Sequence, residues 1–331
     1  MIKKELKIPM RIKKLGALLK RLSETYPKFK ENSDEYHRRM SGYRGEQSLQ
    51  YYLTFLKENN YFIFHNLRLP DISGKHFFEI DILLISPTFI LIIDAKHYRG
   101  ELYFDGKFDQ LIQIYTDTKK SYPCPVAQIT RHQHQLKRLL ETFKIPSIPI
   151  ETLVIFTNPN SIINASTDFK HYNKVIKSPS FIQKIELFEK RNREEVLDRK
   201  HLLKLSRILL KLHTPHDQDI LAQFNIKQDD LIKGVRCPKC NKIPMKRTPR
   251  SWHCAHCSYV SKIAYLKSIA DYSFLIGNTI TNQKLCDFLR LSSRTGAKTI
   301  FKTLHLEHKG DLKSRIYILP KNIESFLMKY E

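Results

Sequence analysis

The chain has 331 residues and carries 57 Lys plus Arg against 33 Asp plus Glu, a formal charge of +24. Such a length suggests roughly two to three domains with at least one sizeable core. The positive excess points to a polyanion such as nucleic acid, because bound Lys and Arg release condensed counterions from a phosphate backbone, with a membrane surface as the second option. No run of about 20 apolar residues is present, which excludes a helical membrane span.

Residues 1–37 are expected to form a basic N-terminal arm, helical in parts, lightly packed, and solvated or facing nucleic acid. Lys13, Lys14 and Lys20 interrupt Met1–Lys20, so no continuous apolar stretch suits a secretory signal. From Ser41 to about Lys57, Leu49, Leu53 and Leu56 recur at helical spacing. Residues 61–69 and 77–98 are rich in Ile, Phe, Leu and Tyr and read as strands, with Ser86-Pro87-Thr88 breaking the second into a hairpin. Val126, Ile129, Leu136, Leu139 and Leu140 predict a helix over 125–143. Glu151–Thr157 reads as a buried strand ended by Asn158-Pro159-Asn160, and 180–212 as helical. Helix, strands, helix, strand, helix is the order of an α/β domain, placed at 38–215. A cysteine module at 232–262 and a helical module at 263–331 follow. Residues 232–331 hold 19 Lys or Arg against 6 Asp or Glu, so non-enzymatic nucleic-acid contact is expected there.

Two segments carry charged groups inside apolar strands: Glu79-Ile80-Asp81-Ile82 and Ile92-Ile93-Asp94-Ala95-Lys96. Strand residues two apart share a face, so Asp94 and Lys96 point the same way. An ionised group in a buried strand is costly unless it is paired or holds a metal. Glu46 lies in line with Leu49, Leu53 and Leu56 on one helix face, where an apolar residue is expected. Phosphodiester hydrolysis needs an activated water and charge stabilisation at the phosphate, and carboxylate-held divalent metals supply much of both. Asp81 and Asp94 would be direct ligands of Mg2+ or Mn2+, and Glu46 would bind a metal or its water. Lys96 would position the attacking water or stabilise the transition state. The alternative is a plain ion pair of Lys96 with Asp94 or Asp81.

Gly42-Tyr43-Arg44-Gly45-Glu46, Glu79-Ile80-Asp81, Ile93-Asp94-Ala95-Lys96-His97-Tyr98-Arg99-Gly100 and Pro125-Val126-Ala127-Gln128 resemble the nuclease-related domain (NERD), a family similar to the PD-(D/E)xK nucleases. The resemblance covers roughly residues 38–160. It implies a central mixed sheet flanked by helices, Mg2+ dependence and DNA cleavage. By motif match Glu46, Asp81, Asp94 and Lys96 take catalytic positions and Gln128 an accessory one. The chain departs from the family at Asp94, where Glu is usual. His97, His132 and His134 lie near these motifs and read as surface or packing residues.

Cys237-Pro238-Lys239-Cys240 and Cys254-Ala255-His256-Cys257 form two CxxC knuckles, the donor set of a structural Zn2+. With four of six cysteines clustered, a cytoplasmic metal protein is expected rather than a disulfide scaffold. The module resembles the zinc ribbons of topoisomerases. Its Lys and Arg residues interleave with Trp252, which is available for stacking on single-stranded DNA or RNA or serves as core packing. Cys124 and Cys286 read as buried thiols.

In the last segment, helices begun by Thr281 and by Ser292-Ser293, and a hairpin around His308–Asp311, resemble a winged helix-turn-helix. Arg294, Lys298 and Lys302 are four apart, line one face of the second helix, and are candidate DNA contacts. A catalytically weak DNA-binding or DNA-sensing protein, a homo-oligomer, and an RNA or other anionic partner stay open.

Overall fold

Apolar strand-forming runs bounded by turn residues build the sheets, and amphipathic stretches cover them. The computed structural model describes residues 1–57, 60–311 and 314–330. These divide into two units: residues 1–8 with 39–216, and residues 9–38 with 217–331.

In chain order the elements are β1 (Ile2–Lys4), α1 (Met10–Arg21), α2 (Phe29–Leu53), β2 (Phe62–Pro70), β3 (Phe77–Ile85), β4 (Ile90–Lys96), β5 (Glu101–Asp105), β6 (Gln110–Tyr115), β7 (Thr118–Pro123), α3 (Pro125–Thr142), β8 (Ile150–Phe156), β9 (Ile162–Ala165), β10 (Val175–Lys177), α4 (Phe181–Arg191) and α5 (Arg199–Leu212). Then come α6 (Ile220–Gln223), β11 (Lys246–Arg247), β12 (Trp252–His253), β13 (Val260–Ser261), α7 (Tyr265–Leu275), β14 (Thr279–Thr281), α8 (Asn282–Leu289), α9 (Arg294–Thr303), β15 (His308–Lys309), β16 (Ile316–Ile318) and α10 (Ile323–Leu327).

The first unit centres on a six-stranded mixed sheet, ordered β1-β2-β3-β4-β8-β10. Strands β2, β3 and β4 run antiparallel, whereas β4 pairs β8 in parallel from Ile90↔Ile150 to Lys96↔Phe156. Alternation splits the strands between two cores. Ile90 and Ile92 pack with Leu136 and Leu140 of α3 and Leu205 and Leu209 of α5. Leu91 and Ile93 pack with Leu49 and Leu53 of α2 and Phe181 and Ile185 of α4. The sheet therefore has α3 and α5 on one face and α2 and α4 on the other. This is the mixed α/β architecture expected from the sequence.

Alternation slips once. Phe62 and Phe64 of β2 share the α3 face with Leu67 and Leu69, and Ile80 of β3 shares it with Leu83. Ile82 and Leu84 face α2. Leu67 pairs Ile80 and His65 pairs Ile82, so the slip falls on the opposed residues Asn66 and Asp81. Asn66 takes a left-handed conformation, φ 48°, which asparagine tolerates better than most residues. The β3–β4 ladder ends at Ile82↔Ile93, just before Asp81 and Asp94.

A second sheet, β7-β6-β5-β9, is made by residues 101–123 and by Ile162–Ala165, where no strand is expected from the sequence. Helix α2 also starts earlier than expected, at Phe29 rather than Ser41. The stretch 180–212 is two helices separated by residues 192–198.

The expected arm over 1–37 is not lightly packed. Ile2–Lys4 joins the sheet beside β2. Leu15 and Leu18 of α1 are fully buried with Leu221, Phe224 and Leu231. The many lysines mask a helix with a complete apolar stripe. Arg21, at 0% exposure, donates to Asp271, which also accepts from Arg236.

The cysteine ribbon and the helical module, expected as separate domains, lie in one unit. Val235, Met245 and Trp252 share a core with Leu266, Ile269, Phe288 and Ile300. Three two-residue strands cannot enclose a core of their own. Within this unit α7, β14, α8 and α9 precede the strands β15 and β16, and the sheet order is β14-β16-β15. Part of the connection between β15 and β16, Leu312 and Lys313, lies outside the described residues. No helix among the described residues is long and apolar enough to cross a membrane.

Candidate active site and cysteine centre

The acidic residues gather where β3 and β4 part. Beyond Ile82↔Ile93 the ladder bond is replaced by a side chain: Ala95 N–H donates to Asp81 Oδ2 at 2.8 Å. Asp94 and Lys96 share the α3 face, as strand alternation requires. Lys96 Nζ lies 3.0 Å from Asp94 Oδ1 and 2.9 Å from Oδ2, and 3.3 Å from Gln128 Oε1 on α3. Asp94 is 5% exposed, and its Oδ2 accepts no hydrogen bond of good geometry among the described residues.

Glu46 comes from α2, on the other face. Gly45 makes its approach possible, since a Cβ there would fall 2.7 Å from His97 Cβ and 2.7 Å from Thr157 Oγ1. Asn66 Nδ2 donates to Glu46 Oε2 at 2.6 Å. Lys4 Nζ donates to the carbonyls of His65 and Asn66 at 2.7 and 3.1 Å, and its charge acts on Glu46. Asn66 and Lys4 were missed in the sequence. The signal for Asn66 was a poor strand former in the apolar run Phe62–Leu69.

The electrostatics bind the three acids together. Burial pushes Glu46 up to about 7, against the Asn66 hydrogen bond, with added repulsion from Asp94 and Glu79. Burial, then the charges of Asp94 and Glu46, hold Asp81 well above the usual carboxylate range. Burial works against the Lys96 ammonium, but Asp94 and Asp81 outweigh it and raise its pKa. Repulsion of this kind, with the raised pKa values of Glu46 and Asp81, is what a bound cation would relieve. Glu46, Asp81 and Asp94 do not bring three ligand oxygens within 4.8 Å of one another, in keeping with their origin on two faces and at the slip.

The histidines follow the packing reading. His132 is buried with its ring 5.8 Å from that of Phe78, and His97 Nδ1 is 2.9 Å from Thr157 Oγ1. His134 is exposed.

The cysteine centre is compact. All four Sγ atoms of Cys237, Cys240, Cys254 and Cys257 lie within 4.8 Å of one another. The Cys237–Cys257 and Cys240–Cys254 separations are 3.6 and 3.5 Å, too long for disulfides. A tetrahedron with Zn–S of about 2.3 Å has edges of about 3.8 Å, so the set fits Zn2+ and is compatible with a zinc ribbon. Both knuckles turn alike. Asn241 N–H donates to Cys237 O and Ser258 N–H to Cys254 O, with Asn241 and Ser258 at φ 61° and 56°.

Trp252 is 4% exposed and carries the Arg247 guanidinium 5.1 Å from its ring centroid. Its role is therefore core packing, and the expected stacking on bases is corrected: the ribbon uses its single Trp to fill the core it shares with the helices. Arg294, Lys298 and Lys302 are exposed on α9, while Ala297, Ile300 and Leu304 face inward. Cys124 is buried as expected, whereas Cys286 is half-buried.

Comparison with curated proteins and with solved structures gave no match for the chain. Comparison with family models matched residues 41–157 to the nuclease-related domain, NERD. The matched region contains Glu46, Asp81, Asp94, Lys96 and Gln128, so the acidic centre lies within the segment that is similar to the nuclease-related domain.

Proposed function

We propose that this chain is a metal-dependent DNA nuclease that hydrolyses phosphodiester bonds on a PD-(D/E)xK-like sheet. The observation that carries the reading is the parted end of β3 and β4, where Asp81, Asp94 and Lys96 meet, with Lys96 Nζ within 3.0 Å of both Asp94 oxygens. Asp81 and Asp94 would hold Mg2+ or Mn2+, with Glu46 beside them; Mg2+ typically takes only one or two protein carboxylates. Such an ion, when bound, polarises the phosphate and offsets its developing charge.

The chain's own groups do the rest. Lys96, cationic at neutral pH, offers its ammonium to a non-bridging phosphate oxygen. Gln128 and Asp94 fix its position. Glu46, with a pKa of about 7, is matched to neutral pH as a general base. It takes a proton from the attacking water as the new P–O bond forms. The bond to the leaving oxygen breaks, and that oxygen takes its proton from solvent.

The second unit supports delivery to DNA. Helices α7, α8 and α9 with the β14-β16-β15 sheet follow the order of a winged helix-turn-helix, in which the second helix of the motif enters the major groove. Arg294, Lys298 and Lys302 would then contact DNA, and the zinc is structural. Four free clustered thiols suit a reducing compartment such as the cytoplasm.

A second reading is a DNA-binding or DNA-sensing protein with a silent nuclease core. It is favoured by the separation of the three carboxylates, which do not converge within 4.8 Å.

One experiment decides. Plasmid and linear DNA are incubated with the protein in Mg2+, in Mn2+ and in EDTA, beside Asp81→Ala and Lys96→Ala. Cleavage that needs the metal and disappears in both variants is expected. Intact DNA with the wild-type protein rejects the nuclease reading, and cleavage that survives in both variants rejects this active centre.

A further inference from the structure

Strand β11 and the turn that joins it to β12 read Lys246-Arg247-Thr248-Pro249-Arg250-Ser251, rich in cations and free of acids. Arg247, Arg250 and Lys262 line a cleft of about 150 Å³ with Trp252 and with Thr299 and Thr303 of α9. No acidic residue lines it. None of the three cations has a carboxylate partner among the described residues. The cleft is smaller than the roughly 300–1,000 Å³ typical of small-molecule pockets, and a phosphate group matches its size and charge.

Arg247 is held in place by apolar means. Its guanidinium lies over the Trp252 ring and against Gly296 in the first turn of α9, where a Cβ would sit 3.4 Å from Nη1. Stacking on a ring leaves the N–H edges of a guanidinium free for bidentate bonding to phosphate oxygens. Ribbon and helix thus form one wall each of a cationic site. Lys298 and Lys302 neighbour Thr299 and Thr303 on α9 and extend its basic surface.

We propose that this cleft binds a phosphodiester of the nucleic-acid backbone, with Arg247 as the oriented donor and Arg250 and Lys262 as neutralising charges. The proposal rests on the reading of the chain as a DNA-acting protein, but not on cleavage.

The test measures binding of a fluorescein-labelled short duplex to the full chain, in buffer without added divalent metal, across a salt series. Arg247→Gln/Arg250→Gln/Lys262→Gln should weaken binding at least about tenfold. It should also make the slope of log affinity on log salt shallower by roughly 0.9 for each lost contact. Arg247→Lys/Arg250→Lys/Lys262→Arg, which keeps the charge, should retain most of that slope. Zinc content and thermal unfolding check the fold. If the triple variant loses zinc, Arg250→Gln/Lys262→Gln, at two exposed positions, takes its place with a proportionately smaller change in slope. Unchanged affinity and slope in a zinc-loaded variant overturn the proposal. Displacement of the duplex by low millimolar inorganic phosphate at matched ionic strength also overturns it, by assigning the cleft to free phosphate. Absence of cleavage by the wild-type protein would reject the nuclease reading and leave this binding result standing.

Discussion

The side-chain amide of Asn66 donates a 2.6 Å hydrogen bond to Oε2 of Glu46, and it does so from the position where β2 loses its alternation. Asn66 at φ 48° faces Asp81 across the β2–β3 pair. One backbone irregularity thereby orients a carboxylate on α2 and sits opposite another on β3. Asn66→Gly keeps the left-handed backbone and removes the amide. A hydrogen bond to a charged group contributes about 1.5–3 kcal/mol to stability, so the variant should unfold at lower temperature, and cleavage at pH 7 should fall about tenfold as Glu46 loses its orientation. A cleavage rate equal to that of the wild type would show that Glu46 needs no such support.

Glu46 at about 7 and Asp81 well above its usual range set a pH dependence. Both acids hold protons more tightly folded than unfolded. Their contribution to the metal-free fold is therefore most favourable below the unfolded values and is lost as pH rises, for Glu46 between 4.5 and about 7. A divalent cation needs the ionised forms and reverses the trend. Added Mg2+ should raise the unfolding temperature more at pH 8 than at pH 6, and Glu46→Gln should flatten that difference. Equal shifts at both pH values would contradict the acidic centre as the metal site.

Gly45→Ala tests the approach of α2. Helix propensity alone favours Ala by about 1 kcal/mol. The added Cβ would fall 2.7 Å from His97 Cβ, which no side-chain rotation can move away. Overpacking of this kind costs about 1–3 kcal/mol, so the variant should unfold at lower temperature and cleave more slowly as Glu46 is displaced. A more stable, fully active variant would refute the close contact.

Cys237→Ser should reduce zinc from one ion per chain to none by elemental analysis. It should also lower the unfolding temperature, because the ribbon's Val235 and Trp252 share a core with α7, α8 and α9. A metal-free wild-type protein of the same stability would rule out a structural zinc.

Asp271→Asn probes the buried triad. Asp271 Oδ2 lies 3.0 Å from Arg21 Nε and 3.1 Å from Arg236 Nε, and Arg21 also donates to the carbonyls of Ile232 and Gly234. Removing the carboxylate's charge leaves two buried guanidinium groups uncompensated, a loss of about 3–5 kcal/mol. Chemical denaturation reads it directly, and a change below about 1 kcal/mol would mean that solvent reaches the pair.

The sequence by itself determined the strands β2, β3, β4 and β8, helix α3, the shared face of Asp94 and Lys96, and the cysteine set. These depend on local periodicity and spacing, which residues two, three or four apart enforce without reference to the rest of the chain. The tertiary structure alone decided the packed state of residues 1–37. There Leu15 and Leu18 find a core built by residues 220–231, about 200 positions away. It also decided that Trp252 is buried, that Arg247 stacks over its ring, and that Asn66 serves Glu46. Each of these depends on which distant surface an element meets. A sequence pattern gives the face that a side chain occupies but not what the opposite element places against it.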